Sequence, residues 1–471
     1  MTRRLTTLSL FLCLLVFACP QVCFADEPVA DSELMLGLAF RDHMILQRGI
    51  DLPIWGTAPA DAAVTVAYDG QSKTTTAGND GKWRVTLDPL MATKLASADT
   101  KPEGKAMTVS AKHRGKTLSI KLSDLVVGDV WLCAGQSNMA GKLRGKGTYQ
   151  GEIANYPGYR HWTSSTEGGW NVCSPETAGL FNKTAFYFGR DVYRESLIPT
   201  GIVVAAVGGS MIEPWLNQEP HEKGKHYTQF IEPLVGMGIR GIVWYQGESN
   251  ANKSTPYRPL LTSLIEGWRE AWGQGDFPAY YVQLPGYGER KNELGNKPGW
   301  PALRQDQLDT LAVKNTGMAV TIDIGDKSVH PPNKVDTGKR LARLALYHDY
   351  GFTKQAPSGP LYQSHKINGP EIHIKFKHAQ GLMVAEKEGL NAPKPVEDKP
   401  VQCLMLKDKQ GKWHPAEGRI EGENLVITSA QVPMPMAARY AYFAHPAGPL
   451  LYNKDGLPAS PFTTERDEKD D

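Results

Sequence analysis

Leu125-Val126-Val127-Gly128-Asp129-Val130-Trp131-Leu132-Cys133 runs directly into Ala134-Gly135-Gln136-Ser137-Asn138-Met139. Apart from Asp129, the first nine residues are apolar or glycine and do not alternate with polar ones. Such a run reads as a strand buried on both faces, and the glycine beyond it marks a sharp turn that ends at Ser137. Downstream the same texture recurs at Gly201 to Val207, Gly241 to Tyr245, Tyr280 to Leu284 and Met318 to Ile324. Between these runs lie stretches of helical period: Thr184 to Glu195, Phe230 to Met237, Tyr257 to Trp272, Leu303 to Ala312 and Lys334 to Tyr347. In the third of them Leu260, Leu261, Leu264 and Trp268 recur at helical spacing. Buried strands alternating with helices predict an α/β layer with a parallel sheet covered on both faces.

On either side the period changes to two. Val64 to Tyr68, Trp83 to Leu87 and Thr117 to Leu122 alternate apolar and polar residues around turns at Asp69-Gly70 and Asp80-Gly81. Ile372 to Phe376, Val401 to Leu406 and Leu425 to Thr428 do so after the helical region. Both flanks read as antiparallel, sandwich-like β-domains. The expected organisation is a β-domain over residues 34–122, an α/β domain over 123–352 and a second β-domain over 353–465.

With 52 Lys and Arg against 50 Asp and Glu, the formal charge is only +2. That balance offers no field for gathering nucleic acid or anionic lipid. Arg3 and Arg4 precede an apolar run from Leu8 to Phe17, with Phe24-Ala25 before Asp26. The pattern is that of a secretory signal over residues 1–25, too short to span a membrane, and it predicts a secreted or periplasmic protein. Val16-Phe17-Ala18-Cys19 makes a poor lipobox, so lipid anchoring is disfavoured. Cys133, Cys173 and Cys403 remain beyond the signal, and none has Cys-x-x-Cys spacing. A Cys133–Cys173 disulfide and isolated thiols are equally compatible with that pattern. Nothing in the spacing of His and Cys indicates a metal site, and no cofactor is expected.

In a parallel sheet, ligands bind at the carboxyl ends of the strands. Those ends carry Gly135-Gln136-Ser137-Asn138-Met139, Gly208-Gly209-Ser210, Gln246-Gly247-Glu248-Ser249-Asn250 and Val329-His330-Pro331-Pro332-Asn333-Lys334. One such turn alone is explained by helix capping; four polar clusters on one sheet edge are not.

In this order the blocks resemble those of the sialate O-acetylesterase family, within the SGNH hydrolase group. The likeness covers nearly the whole mature chain, down to Gly456-Leu457-Pro458-Ala459-Ser460-Pro461-Phe462. It implies a flavodoxin-like α/β/α core and removal of acetyl groups from an acetylated sugar or polysaccharide. Residue by residue, it implies Ser137 as nucleophile and His330 as general base. Oxyanion donors would be the N–H of Ser137 and of Gly209 (or Gly208), with a side-chain amide from Gln246 or, as second choice, Asn250. Gln136, Asn138 and Glu248 would contact substrate or support the site, with Glu248 holding the turn or orienting Asn138 or Gln246. Arg304 and Gln307 match an Arg-x-x-Gln of the family and are expected to border the cleft, with a surface ion pair as the competing reading of Arg304. SGNH enzymes commonly carry the triad acid three residues before the histidine, where this chain has Lys327. Asp326 stands four before and Asp323 closes the strand, so either Asp326 completes a triad or the enzyme is a Ser-His dyad. Trp170, Trp215 and Trp244 are candidates to stack on sugar but more in keeping with core. A secreted carbohydrate-binding protein with an inactive esterase core is the competing function, weighed down by the intact Ser137 and His330.

Overall fold

The computed structural model describes residues 33–144, 155–164, 168–218, 223–293, 298–397 and 399–465. Residues 1–25, expected to be a secretory signal, and the lipobox-like stretch within them lie outside the described residues. At the centre is a parallel sheet of five strands joined by crossovers: β1 (Lys116–Gly135), β2 (Thr200–Ala206), β3 (Gly241–Tyr245), β4 (Ala279–Val282) and β5 (Thr316–Ala319). Their spatial order is β2-β1-β3-β4-β5, every pair parallel. Outside β2 a further parallel strand, Tyr156–Thr163, extends the edge, and Asn171–Cys173 closes it antiparallel.

Side chains alternate across the sheet as the strand period demands. From β1 and β3, Trp131, Cys133, Val243 and Tyr245 enter one buried cluster. Leu132, Ala134, Ile242 and Trp244 enter the other. Helices α1 (Lys183–Ser196) and α4 (Lys334–Asp349) cover the first face, contributing Ala185, Phe188, Leu341 and Ala345. Their approach is close: a Cβ on Gly338 would lie 2.4 Å from the Cβ of Tyr187. Helices α2 (Tyr257–Trp272) and α3 (Gly299–Asp309) cover the second face. The α2 helix has the predicted bounds and ends at Gly273 in the left-handed conformation, a common helix stop.

Strand β1 is twenty residues long and serves two regions. Its first part pairs antiparallel with Lys105–His113 in the N-terminal β-region, and its last part forms the centre of the parallel sheet. No linker separates the two. The C-terminal region builds a seven-stranded antiparallel sheet and a smaller three-stranded one. Some elements differ from expectation. Phe230–Met237 is not an α-helix: a π-turn over Tyr227–Ile231 passes into a 3₁₀ turn over Glu232–Leu234, where Pro233 lacks the N–H an α-helix requires. The last strand stops at Ala319, and Ile322–Ile324 is a 3₁₀ turn. Cys133, Cys173 and Cys403 are buried, and the Cys133–Cys173 disulfide is not formed.

Candidate active site

The strand order reverses direction between β1 and β3, and the crevice at such a point is where open α/β sheets bind ligands. Ser137 stands there, on the first turn after β1. Gly135 makes the turn, with φ of 141° and a position at which a Cβ would lie 2.1 Å from the Tyr245 carbonyl oxygen. Across the crevice the Ser137 Oγ lies 2.8 Å from His330 Nε2. Together with Asn138, Gly141, Lys183, Asp326, Pro331, Pro332 and Lys334 they line a cavity of about 500 Å³.

Among the described residues, no carboxylate is hydrogen-bonded to the His330 ring. The Asp326 carboxylate instead accepts the Ser328 backbone N–H at 2.8 Å, and the Ser328 hydroxyl accepts the His330 N–H at 3.1 Å. Asp323 forms a bidentate pair with Arg340 at 2.6 and 2.7 Å and accepts the Tyr452 hydroxyl. Lys327 is exposed and pairs with Glu289. What holds the histidine is its backbone. Asn138 Nδ2 donates to the Val329 carbonyl at 3.0 Å, and Lys334 Nζ donates to the Pro331 carbonyl at 2.6 Å. Asn138 Nδ2 also donates to Glu248, whose other carboxylate oxygen is buried without a hydrogen-bond partner among the described residues. Burial raises the Glu248 pKa. Burial likewise lowers Lys334 to about 7, against the opposing pull of Glu248. His330 is lowered by partial burial and then by the Lys334 charge.

Facing Ser137 is the Gly208-Gly209 turn after β2. A Cβ on Gly208 would lie 3.9 Å from that of Ser137, and Gly209 has φ of 71° with open space where its side chain would be. Among the described residues, no protein acceptor takes the N–H of Ser137, Gly208 or Gly209. The turn is tied to its neighbours: Ser249 Oγ donates to the Gly209 carbonyl at 3.1 Å, and Ser249 N donates to Gln136 Oε1.

The third block departs from expectation. Gln246 is fully buried; its amide donates to the Ser210 carbonyl and to Asn250 Oδ1, and its carbonyl accepts the Tyr257 hydroxyl. Both amide hydrogens are spent, so none is left to face an ester oxygen. Asn250 is held equally firmly, donating to the Glu213 carboxylate and accepting from Ile212 N and Gln246. These two amides fix the turn that carries Glu248 and Ser249. Among the described residues, no three His, Cys, Asp or Glu side chains converge as metal ligands.

A family model for carbohydrate esterases of the sialic acid-specific acetylesterase type matches residues 127–347. A solved carbohydrate acetylesterase from Xanthomonas citri superposes with a TM-score of 0.80 at 30% identity, over 92% of this chain and 99% of that one. The chain belongs to the sialic acid-specific acetylesterase family of carbohydrate esterases. Sialate O-acetylesterases from Homo sapiens and Rattus norvegicus are each 26% identical to it, covering 92% and 91% of this chain and 94% of theirs. The likeness thus extends over 92% of the chain, and the protein is a carbohydrate esterase.

Within this esterase, Arg304 does not border the cleft and makes no surface ion pair. It is completely buried, donating to the carbonyls of Leu284, Pro285, Phe443 and Ala444. Without a carboxylate beside it, burial lowers its pKa to about 9. It joins the α/β layer to the C-terminal region. Gln307 is buried as well, bonding the backbone of Val282 and Leu284 in and beyond β4. Trp170, Trp215 and Trp244 are buried in the core and offer no face to a sugar. Lys334 was overlooked by sequence reasoning, although it ends the Val-His-Pro-Pro-Asn-Lys block. A lysine at the start of a helix whose dipole disfavours cations there was the available signal.

Proposed function

We propose that this esterase removes O-acetyl groups from carbohydrate with Ser137 as nucleophile and His330 as general base, in a dyad without a triad acid. The observation that carries the reading is the 2.8 Å approach of Ser137 Oγ to His330 Nε2 at the switch point of the sheet. That distance is within reach of direct proton transfer. His330 takes the Ser137 proton as the hydroxyl attacks the acetyl carbonyl, then returns it to the departing sugar oxygen. Water deacylates the acetyl-enzyme by the same route in reverse. The N–H groups of Ser137 and Gly209 receive the oxyanion; each such donor is typically worth roughly 2.7–4 kcal/mol in the transition state. The engagement of Gln246 and Asn250 leaves this hole built from backbone.

The strand order supports a flavodoxin-like core of the SGNH type over residues 123–352, between β-domains at 34–122 and 353–465. The substrate is an acetylated sialic acid or acetylated polysaccharide, met outside the cytoplasm after residues 1–25 are removed. Family membership and the intact Ser–His pair disfavour an inactive carbohydrate-binding protein. Acetate release from 9-O-acetyl sialosides and acetyl xylan, and p-nitrophenyl acetate hydrolysis, test the reading. Ser137→Ala should bring each to background; activity equal to wild type in that variant would refute it.

A further inference from the structure

A dyad leaves open what keeps the imidazole aimed at the serine. In a triad the acid grips the ring at its far nitrogen. Here the carbonyls of both residues adjoining His330 are gripped instead, that of Val329 by Asn138 and that of Pro331 by Lys334. Both donors come from functional blocks: Asn138 directly follows the nucleophile, and Lys334 opens α4. They share a third partner. Glu248 accepts from Asn138 and acts electrostatically on Lys334. All three side chains are buried, at 2% exposure for Asn138, 7% for Lys334 and 9% for Glu248.

We propose that Asn138, Lys334 and Glu248 form a backbone clamp that positions His330 in place of a triad acid. Asn138 couples the nucleophile turn to the histidine loop, so Ser137 and His330 are held relative to one another. Lys334 fixes the other side of the same residue and prevents the loop from pivoting about Val329. Glu248 accepts the Asn138 hydrogen bond, orienting that donor, and offsets part of the cost of burying the Lys334 ammonium. A buried cation of this kind needs a partner, and a buried carboxylate with one unsatisfied oxygen needs a cation nearby. None of the three touches the reacting atoms in this arrangement; they are positioning residues. A displacement of about 1 Å at the reacting pair is enough to cost on the order of 10²-fold in rate.

The inference rests on the Ser137–His330 reading, and its test separates the two. Asn138→Ala, Lys334→Met and the isosteric Glu248→Gln are assayed on p-nitrophenyl acetate at a temperature where melting curves show each protein folded. The clamp predicts kcat lower by about 10- to 100-fold for the first two, with KM within about twofold. It predicts a smaller loss for Glu248→Gln, which retains an acceptor for Asn138. The decisive measurement repeats the first two changes in a His330→Ala background. A clamp acts only through His330, so there the additional loss should be under about twofold. Folded Asn138→Ala and Lys334→Met variants with kcat within twofold of wild type would overturn the clamp, as would an undiminished loss in the His330→Ala background. Should His330→Ala itself retain wild-type kcat, the Ser–His reading fails first. If Lys334→Met does not fold, Asn138→Ala carries the same comparison.

Discussion

Asp326→Asn is the substitution that separates a dyad from a triad. In the structure Asp326 makes an Asx turn: its carboxylate accepts the Ser328 N–H at 2.8 Å, and Ser328 in turn accepts the His330 N–H. Asparagine keeps the Oδ1 acceptor at the same place, so the turn survives. What is lost is the charge on one hydrogen bond, worth about 1 kcal/mol between a charged and a neutral acceptor. Even if the whole of that appeared as displacement of His330, the rate would fall by no more than about tenfold, since 1.36 kcal/mol is one decade. A triad aspartate behaves otherwise: its change to asparagine costs roughly 10⁴-fold by imposing the wrong imidazole tautomer. The two expectations differ by about three decades. The assay is kcat on p-nitrophenyl acetate at pH 7.5, with His330→Ala as reference. A loss of 10³-fold or more in Asp326→Asn, approaching that of His330→Ala, would refute the dyad and show that the loop brings Asp326 to the ring during turnover.

Further outcomes follow from the buried charges. Arg304→Met removes the donor from four buried carbonyls while relieving the cost of an unpaired interior cation. The net loss should be about 3–5 kcal/mol, and thermal unfolding should show Tm lower by roughly 5–15 °C. Activity per folded molecule should stay within about twofold, since Arg304 lies away from the cleft; a fall in kcat/KM without a fall in Tm would restore its placement in substrate binding. The acid limb of kcat/KM should have its midpoint below pH 6.5. A base works only when neutral, and burial and the Lys334 charge lower the His330 pKa, so activity persists further into acid. The titratable side chains lining the cavity beside His330 are Lys183, Lys334 and Asp326, and Glu248 acts electrostatically on Lys334. With Lys334 lowered only to about 7, its ammonium is still charged along that limb, so Lys334→Met should move the midpoint to higher pH. A midpoint above pH 6.5 in wild type, or an unmoved one in Lys334→Met, would contradict the assignment.

The parts of the fold legible in the sequence are those whose pattern is local. Leu260, Leu261, Leu264 and Trp268 share one helical face, and Gly273 stops that helix, so α2 was readable residue for residue. The strand Tyr156–Thr163 was not. Its sequence Tyr-Pro-Gly-Tyr-Arg-His-Trp-Thr carries Pro157, Gly158 and a charged Arg160, all poor signals for a buried strand. Arg160 is buried because its guanidinium donates to the carbonyls of His43 and Asp124, partners 117 and 36 residues away. Likewise the strand expected to reach Ile324 ends early: Thr321 donates to the Gln283 carbonyl, and the backbone turns there.

The site divides along the same line. Ser137 follows from a buried strand, a glycine turn and a polar residue beyond it, all within one stretch of chain. The direction in which a side chain points is a different kind of information. Gln246 and Asn250 have the right chemistry for an oxyanion hole and the right place at a strand end, yet Tyr257, Ser210 and Glu213 occupy them. Arg304 has the right chemistry to hold a substrate, yet it holds carbonyls from two parts of the molecule 139 and 20 residues distant. Buried polar groups must be satisfied, and in this protein the partners that satisfy them lie far along the chain. Composition therefore identifies which residues can act, while the hydrogen-bond accounting decides which are free to. By that accounting, among the described residues, the N–H groups of Ser137 and Gly209 are open to a substrate, the Ser137 hydroxyl is engaged by His330, and the amides of the third block are spent.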